Sequence, residues 1–205
     1  MYKKFLKRCL DLLLSLMVLS ILSPVFLVMI LLGTIFMRGN PFYTQERPGK
    51  DGKIFRLIKF RSMTNRKDAR GVLLPDAQRV TAYGRFIRAA SLDELPEFLN
   101  ILIGNMAFIG PRPLLVEDLP YYSSEEMRRH EVLPGLTGLA QVNGRNAITW
   151  EEKFRYDVDY TQRITFLGDV KIILQTIGKA FLRRDGISSE TSATMEEFMG
   201  NETIN

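Results

Sequence analysis

The feature that most limits the fold of this chain is a run of 26 uncharged residues, Leu12 to Met37, relieved only by Ser15, Ser20, Ser23, Pro24, Gly33 and Thr34. As one helix at ~1.5 Å per residue it would be about 39 Å long, more than the ~30 Å hydrocarbon core of a bilayer. The run is too long for a signal peptide, and no small-x-small cleavage site follows it, so it reads as a membrane segment. Pro24 lies near its middle. Proline has no N–H to offer the Ser20 carbonyl and kinks the helix there. The hydroxyls of Ser20 and Ser23 are placed to satisfy the backbone groups this frees. Lys3, Lys4, Lys7 and Arg8 precede the run, and Arg38, Arg47, Lys50, Lys53, Arg56, Lys59 and Arg61 follow it. Positive-inside reasoning draws both ends toward the cytoplasm. A spanning helix and a re-entrant hairpin both stand on these grounds, and either attaches the chain to a membrane.

Composition matters mainly for what it excludes. One cysteine, Cys9, rules out an internal disulfide and a cysteine zinc site, and one histidine, His130, leaves little room for imidazole chemistry. The net charge of +5 is unevenly spread: +4 over residues 1–40, +8 over 41–90 and −7 over 91–205. Basic charge beside an apolar anchor points to an anionic membrane surface or a phosphorylated ligand and away from a nucleic-acid groove.

Past the Gly39-Asn40-Pro41 turn, residues 42–63 read as short strands around Pro48–Gly52. Residues 65–76 read as a polar loop, and 78–90 as a helix with Val80, Tyr83, Phe86 and Ile87 on one face. Ser91-Leu92-Asp93-Glu94 fits a capping box opening a helix that runs to Gly104. Pro111-Arg112-Pro113 makes a rigid corner. A serine at 123 or 124 caps a short helix ending near Val132, where Pro134-Gly135 stops it. Leu139–Val142 reads as a short strand before the turn 143–146, and Thr149 with Glu152 as a further capping box. The span 166–184 is an amphipathic helix with Val170, Ile173, Leu174, Ile177 and Phe181 at helical spacing, suited to core packing or to a membrane interface. The expected class is α+β and mostly helical. It combines a membrane anchor at 1–38, a small cytoplasmic domain with short strands and interfacial helices at 39–185, and a polar flexible tail at 186–205.

No Walker A loop, dinucleotide glycine fingerprint or GxSxG elbow is present, so chemistry falls to carboxylates and basic groups. Asp93-Glu94 at a helix entry is either an ordinary cap or a pair of carboxylates able to meet one divalent cation. Arg112, stiffened by two prolines, suits bidentate phosphate binding or a structural salt bridge. Lys59 and Arg61 read as strand charges, Arg145 as a turn residue, and His130 as a charge partner at a helix C-terminus. Trp150 reads as core or an interface anchor.

Taken in order, Ser23-Pro24, Lys59-Phe60-Arg61-Ser62-Met63, Ser91-Leu92-Asp93-Glu94-Leu95-Pro96, Gly110-Pro111-Arg112-Pro113, Pro134-Gly135-Leu136-Thr137-Gly138 and Gln141-Val142-Asn143-Gly144-Arg145-Asn146 resemble the bacterial sugar transferase family, the monotopic phosphoglycosyl transferases. The resemblance covers about residues 1–185, and its closest form is the small type that initiates N-linked protein glycosylation. It implies a re-entrant helix broken at Ser23-Pro24, with both termini on the cytoplasmic face of a bacterial inner membrane. It implies transfer of a phosphosugar from a UDP-linked, N-acetylated amino sugar to polyprenol (undecaprenyl) phosphate, with release of UMP. It implies Asp93 as covalent nucleophile with Glu94 beside it, and Mg²⁺ held at these two carboxylates. Lys59, Arg88, Arg112 and Arg145 are then the candidates for phosphate or nucleotide contacts. Inner-membrane lipids are expected partners and nucleic acid is not. The rival readings are a membrane glycosyltransferase that releases UDP and a non-enzymatic module gripping anionic lipid.

Overall fold

Pro24 does break the apolar run. In the computed structural model, which describes residues 2–144 and 148–181, α1 (Lys7–Ile21) and α2 (Ser23–Met37) meet at Leu22 with a bend of 66°. Pro24 sits in the first turn of α2, where a missing N–H costs no helical bond. Ser23 Oγ donates to the Ser20 carbonyl at 2.8 Å, filling the place of the absent proline N–H. No single helix among the described residues is long and apolar enough to cross a membrane, whereas the bent pair together has the length and composition. Leu13, Leu16, Ile21, Leu27, Leu31 and Ile35 on this bent pair are all more than half exposed.

Then follow β1 (Phe42–Pro48), β2 (Ile54–Phe60), α3 (Asp76–Arg79), α4 (Ala82–Ala89), α5 (Glu97–Ile103), β3 (Ala107–Ile109), α6 (Ser124–Met127), β4 (Gly135–Thr137), α7 (Leu139–Asn143), α8 (Trp150–Gln162) and α9 (Phe166–Phe181). The class is α+β and mostly helical, as expected. β1 and β2 pair antiparallel with Phe42 opposite Phe60 and Pro48 opposite Ile54, around the foreseen turn. β3 and β4 form a separate two-stranded parallel sheet. A Cβ at Gly135 would run into the backbone nitrogen of Gly110, so this close pairing requires glycine.

The main core gathers Met29 and Met37 from α2, Phe55, Leu57 and Phe60 from β2, Tyr83 and Ile87 from α4, and Phe98 and Ile101 from α5. The bent pair therefore shares its core with the domain that follows, and Tyr83 Oη donates to the Met29 carbonyl at 3.2 Å. Asn100, fully buried, stands in for a third strand beside β2. Its Oδ1 accepts the Ile58 N–H at 2.9 Å and its Nδ2 donates to the Arg56 carbonyl at 2.8 Å. At the other end, Asp169 of α9 accepts from Tyr2 Oη (2.6 Å), Lys7 Nζ (2.9 Å) and Tyr160 Oη (2.9 Å), clamping the N-terminal segment to α9.

Several local expectations change. The helix foreseen at 78–90 is two pieces separated by extended Val80. α4 starts only after Thr81, whose Oγ1 accepts the Gly84 N–H at 2.9 Å, and Phe86 faces outward. Leu139–Val142 is a helical turn, not a strand, because four apolar residues carry too little periodicity to separate the two. The capping boxes Ser123–Glu126 and Thr149–Glu152 both form. His130 is no charged helix partner: burial, then the Arg129 charge, lower it to about 4, so it is neutral and stacked on Tyr122. Trp150 packs in a core cluster with Phe154. α9 buries Ile172 and half-buries Val170 and Ile173, yet leaves Leu174 and Ile177 exposed. The boundary expected at 185 and the tail beyond it lie outside the described residues.

Candidate active site

The Asp93-Glu94 pair does not open an α-helix. Ser91 adopts the left-handed region (φ 54°, ψ 22°) and caps nothing with its side chain, and Leu92–Glu94 form one 3-10 turn. The reason is Pro96, which has no N–H for the Leu92 carbonyl and so prevents a helix begun at Ser91 from propagating. α5 begins afresh at Glu97, with Pro96 as its cap residue. The carboxylates are thus presented on a tight turn packed against β2 and α4.

Two elements converge on Glu94. Arg112 Nη2, from the Pro-Arg-Pro corner after β3, donates to Glu94 Oε1 at 2.6 Å, and Lys59 Nζ, from β2, donates to the same oxygen at 3.1 Å. Lys59 Nζ also lies 3.0 Å from Glu97 Oε1, within ion-pair distance but outside hydrogen-bonding geometry. Burial alone would raise Glu94, but Arg112 and Lys59 outweigh it and hold Glu94 well below the usual carboxylate range. Glu97 moves the other way, raised by burial and by the Glu94 charge against the pull of Lys59.

Asp93 differs from its neighbour. It is half-buried and makes no ion pair within 4.0 Å among the described residues. Burial raises its pKa and the Glu94 charge adds to this, while Lys59 and Arg88 draw it back. Arg88 is itself oriented by α4, where Nε donates to Ser62 Oγ at 2.8 Å. That contact depends on Gly84, since a Cβ there would overlap the Ser62 carbonyl. Two adjacent carboxylates are therefore pushed apart in basicity, one locked as an anion and the other left available.

The corner carrying Arg112 is held from behind. Arg129, buried and covered by the rings of Tyr122 and Phe154, donates from Nη2 to the Arg112 carbonyl at 2.7 Å and from Nη2 and Nε to Asp157 Oδ2 at 2.7 and 3.1 Å. On the other side, burial and then the Arg112 charge lower the pKa of Arg47, whose Nη2 donates to Gln45 Oε1 at 2.7 Å.

A sequence profile described as bacterial sugar transferase matches residues 2–183. The chain belongs to this family. It is 45% identical over 196 residues to the uncharacterized sugar transferase EpsL of Bacillus subtilis, covering 96% of each chain. It is 38% identical over 201 residues to the undecaprenyl-phosphate galactose phosphotransferase of Salmonella typhimurium, covering 89% of this chain and 42% of that one. It is also 38% identical over 188 residues to the UDP-glucose:undecaprenyl-phosphate glucose-1-phosphate transferase of Klebsiella pneumoniae, covering 87% and 40%. The chain thus spans about two fifths of the length of these two larger relatives.

Of the residues singled out in the sequence, the fold joins Lys59, Glu94 and Arg112 directly and sets Asp93 and Arg88 at their side. Ser23 and Pro24 stand at the break of the hairpin. Arg145 lies outside the described residues. Sequence reasoning passed over Glu97, although it stands one turn after Glu94, and over Arg47, Arg129 and Asp157. The last two are paired across 28 residues, and no local pattern signals that contact.

Proposed function

We propose that this family member is a phosphoglycosyl transferase. It moves a phosphosugar from a UDP-sugar to undecaprenyl phosphate at the cytoplasmic face of a bacterial inner membrane and releases UMP. The observation that carries the reading is the unequal carboxylate pair: Glu94 locked by Lys59 and Arg112, with Asp93 beside it raised and without an ion pair among the described residues. The Salmonella and Klebsiella relatives, an undecaprenyl-phosphate galactose phosphotransferase and a UDP-glucose:undecaprenyl-phosphate glucose-1-phosphate transferase, support the same reaction.

In the first step an Asp93 carboxylate oxygen attacks the sugar-side phosphorus. The bond from that phosphorus to the bridging oxygen breaks, and the bridging oxygen leaves with UMP. In the second step a phosphate oxygen of undecaprenyl phosphate attacks the same phosphorus and frees the Asp93 carboxylate, giving undecaprenyl diphosphate sugar. The acceptor is already anionic, so no general base is needed, and ping-pong kinetics follow. Burial and the Glu94 charge make Asp93 the more basic carboxylate of the pair and so the better nucleophile. Lys59, Arg88 and Arg112 present cationic donors to a substrate whose charge is concentrated on phosphate.

Mg²⁺ would be held by the Asp93 carboxylate and by the Glu94 oxygen that Arg112 and Lys59 leave free, an ion of this kind taking one or two protein carboxylates. When bound, it offsets negative charge on the diphosphate and the departing nucleotide.

The exposed apolar hairpin and the exposed Leu174 and Ile177 of α9 support insertion of residues 1–38 as a re-entrant anchor, with α9 lying at the interface. Both termini would then be cytoplasmic. The test is nucleotide release in nanodiscs with undecaprenyl phosphate, Mg²⁺ and a panel of UDP-glucose, UDP-galactose and UDP-linked N-acetylated amino sugars, for wild type and Asp93→Asn. UMP release by wild type alone is expected. UDP release would move the protein to simple glycosyl transfer, and release unchanged in Asp93→Asn would remove the nucleophile assignment.

A further inference from the structure

Away from the carboxylates, a cleft of about 260 Å³ opens where the N-terminal segment leaves α1 and passes the β3–β4 layer. Lys3, Lys7, Arg8, Lys50, Asp11 and Glu131 supply its charged lining, and neither Asp93 nor Glu94 reaches it. The balance of charge is cationic and largely unspent. Lys7 is paired with Asp169 at 2.9 Å. By contrast, among the described residues Lys3 donates only to the Thr161 carbonyl at 3.0 Å, and Arg8 only to the Leu102 and Met106 carbonyls, both at 3.3 Å. Lys50 is exposed, and none of Lys3, Arg8 and Lys50 has a carboxylate within 4.0 Å among the described residues. Glu131 is partly neutralised by Arg128 at 3.1 Å, and Asp11 accepts the Phe108 N–H at 3.0 Å.

Arg8 is half-buried and Lys3 and Lys50 are exposed, so one cleft gathers three basic side chains that have no carboxylate within 4.0 Å among the described residues and are open to an incoming anion. The cleft adjoins the start of α1, the first arm of the apolar hairpin. We infer that it binds the phosphate of an anionic glycerophospholipid, gripped by Lys3, Arg8 and Lys50, and so fixes the depth and tilt of the protein at the membrane. Placing the cleft at the bilayer surface rests on the re-entrant anchor proposed above; the charge arrangement does not. Lys7 has a different task, because its bond to Asp169 ties the segment to α9.

The test uses full-length protein in dodecyl maltoside micelles, titrated with phosphatidylglycerol, with phosphatidylcholine and with inorganic phosphate, reading the thermal unfolding midpoint. Phosphatidylglycerol should raise the midpoint saturably while phosphatidylcholine does not. Lys3→Gln and Lys50→Gln should each raise the half-saturating lipid concentration about fivefold, the worth of one lysine at an anionic surface. Both variants keep a hydrogen-bond donor and leave Lys7 and Asp169 intact, so the fold should survive. Equal effects of the two lipids, or unchanged half-saturation in both variants, would overturn the site. A response to inorganic phosphate as strong as to phosphatidylglycerol would overturn the lipid as its ligand. Retention on neutral vesicles after alkaline carbonate washing reads the anchor separately. Protein retained there but indifferent to phosphatidylglycerol loses only the headgroup site, whereas protein that washes off loses the anchor reading.

Discussion

Replacing Asp157 with Asn offers a way to disturb Arg112 without touching the cleft. Arg129 and Asp157 side chains are 1% and 2% exposed, and the guanidinium makes two hydrogen bonds to a single carboxylate oxygen. Removing one charge of such a pair strands the other in the interior, at a cost of about 3–5 kcal/mol. For a chain of this length each kcal/mol lowers the unfolding midpoint by roughly 2–4 °C, so a fall of about 6–20 °C is expected. Thermal unfolding in detergent measures it. Because Arg129 also holds the Arg112 carbonyl at 2.7 Å, activity at a temperature where the variant stays folded should fall as well, mainly through a higher KM for the UDP-sugar. The double variant Arg129→Met with Asp157→Leu separates the two effects. Apolar replacement of a whole buried pair is often neutral or stabilising, so the midpoint should recover while KM stays high for want of a donor to Arg112. A midpoint shift below about 2 °C for Asp157→Asn, or wild-type kinetics in the double variant, would refute this view of the corner.

Three further outcomes follow from the same geometry. In Glu94→Gln a negative neighbour of Asp93 disappears and Lys59 and Arg112 lose the charge they shared, so Asp93 becomes more acidic. The acid limb of kcat/KM, which in wild type should lie above the ordinary aspartate range, should move to lower pH in a pH–rate profile. Gly84→Ala forces a Cβ onto the Ser62 carbonyl and should cost about 1–3 kcal/mol by denaturant titration, with loss of activity as Arg88 is displaced. Chelation of divalent cations should abolish nucleotide release, and restoring Mg²⁺ should recover it.

The parts of this structure that the sequence made legible are those whose causes are local. Pro24 breaks the helix because of an N–H it lacks, and Ser23 makes good the Ser20 carbonyl as its position foretells. Ser123 and Thr149 cap their helices with partners three residues away. Ser91 carries the same pattern and fails, because Pro96 forbids the helix that the cap would open. That signal was present in the sequence and outweighs the box. The parallel pairing of β3 with β4, the Asn100 bridge to β2 and the buried Arg129–Asp157 pair join distant segments, and nothing in their own neighbourhoods announces them. Asp93, Glu94, Lys59, Arg88 and Arg112 were all legible as candidates. That Lys59 and Arg112 pair with Glu94 and not with Asp93 was not legible, since it depends on contacts between distant segments.

The most direct measurement is a single-turnover incubation of the enzyme with UDP-sugar and Mg²⁺ in the absence of undecaprenyl phosphate, followed by intact-protein and peptide mass spectrometry. A covalent Asp93 intermediate predicts one UMP released per active site and a phosphosugar mass added to the peptide containing Asp93, lost on adding undecaprenyl phosphate and absent in Asp93→Asn. No UMP and no added mass until the lipid phosphate is supplied would contradict it and point to direct transfer between the two substrates.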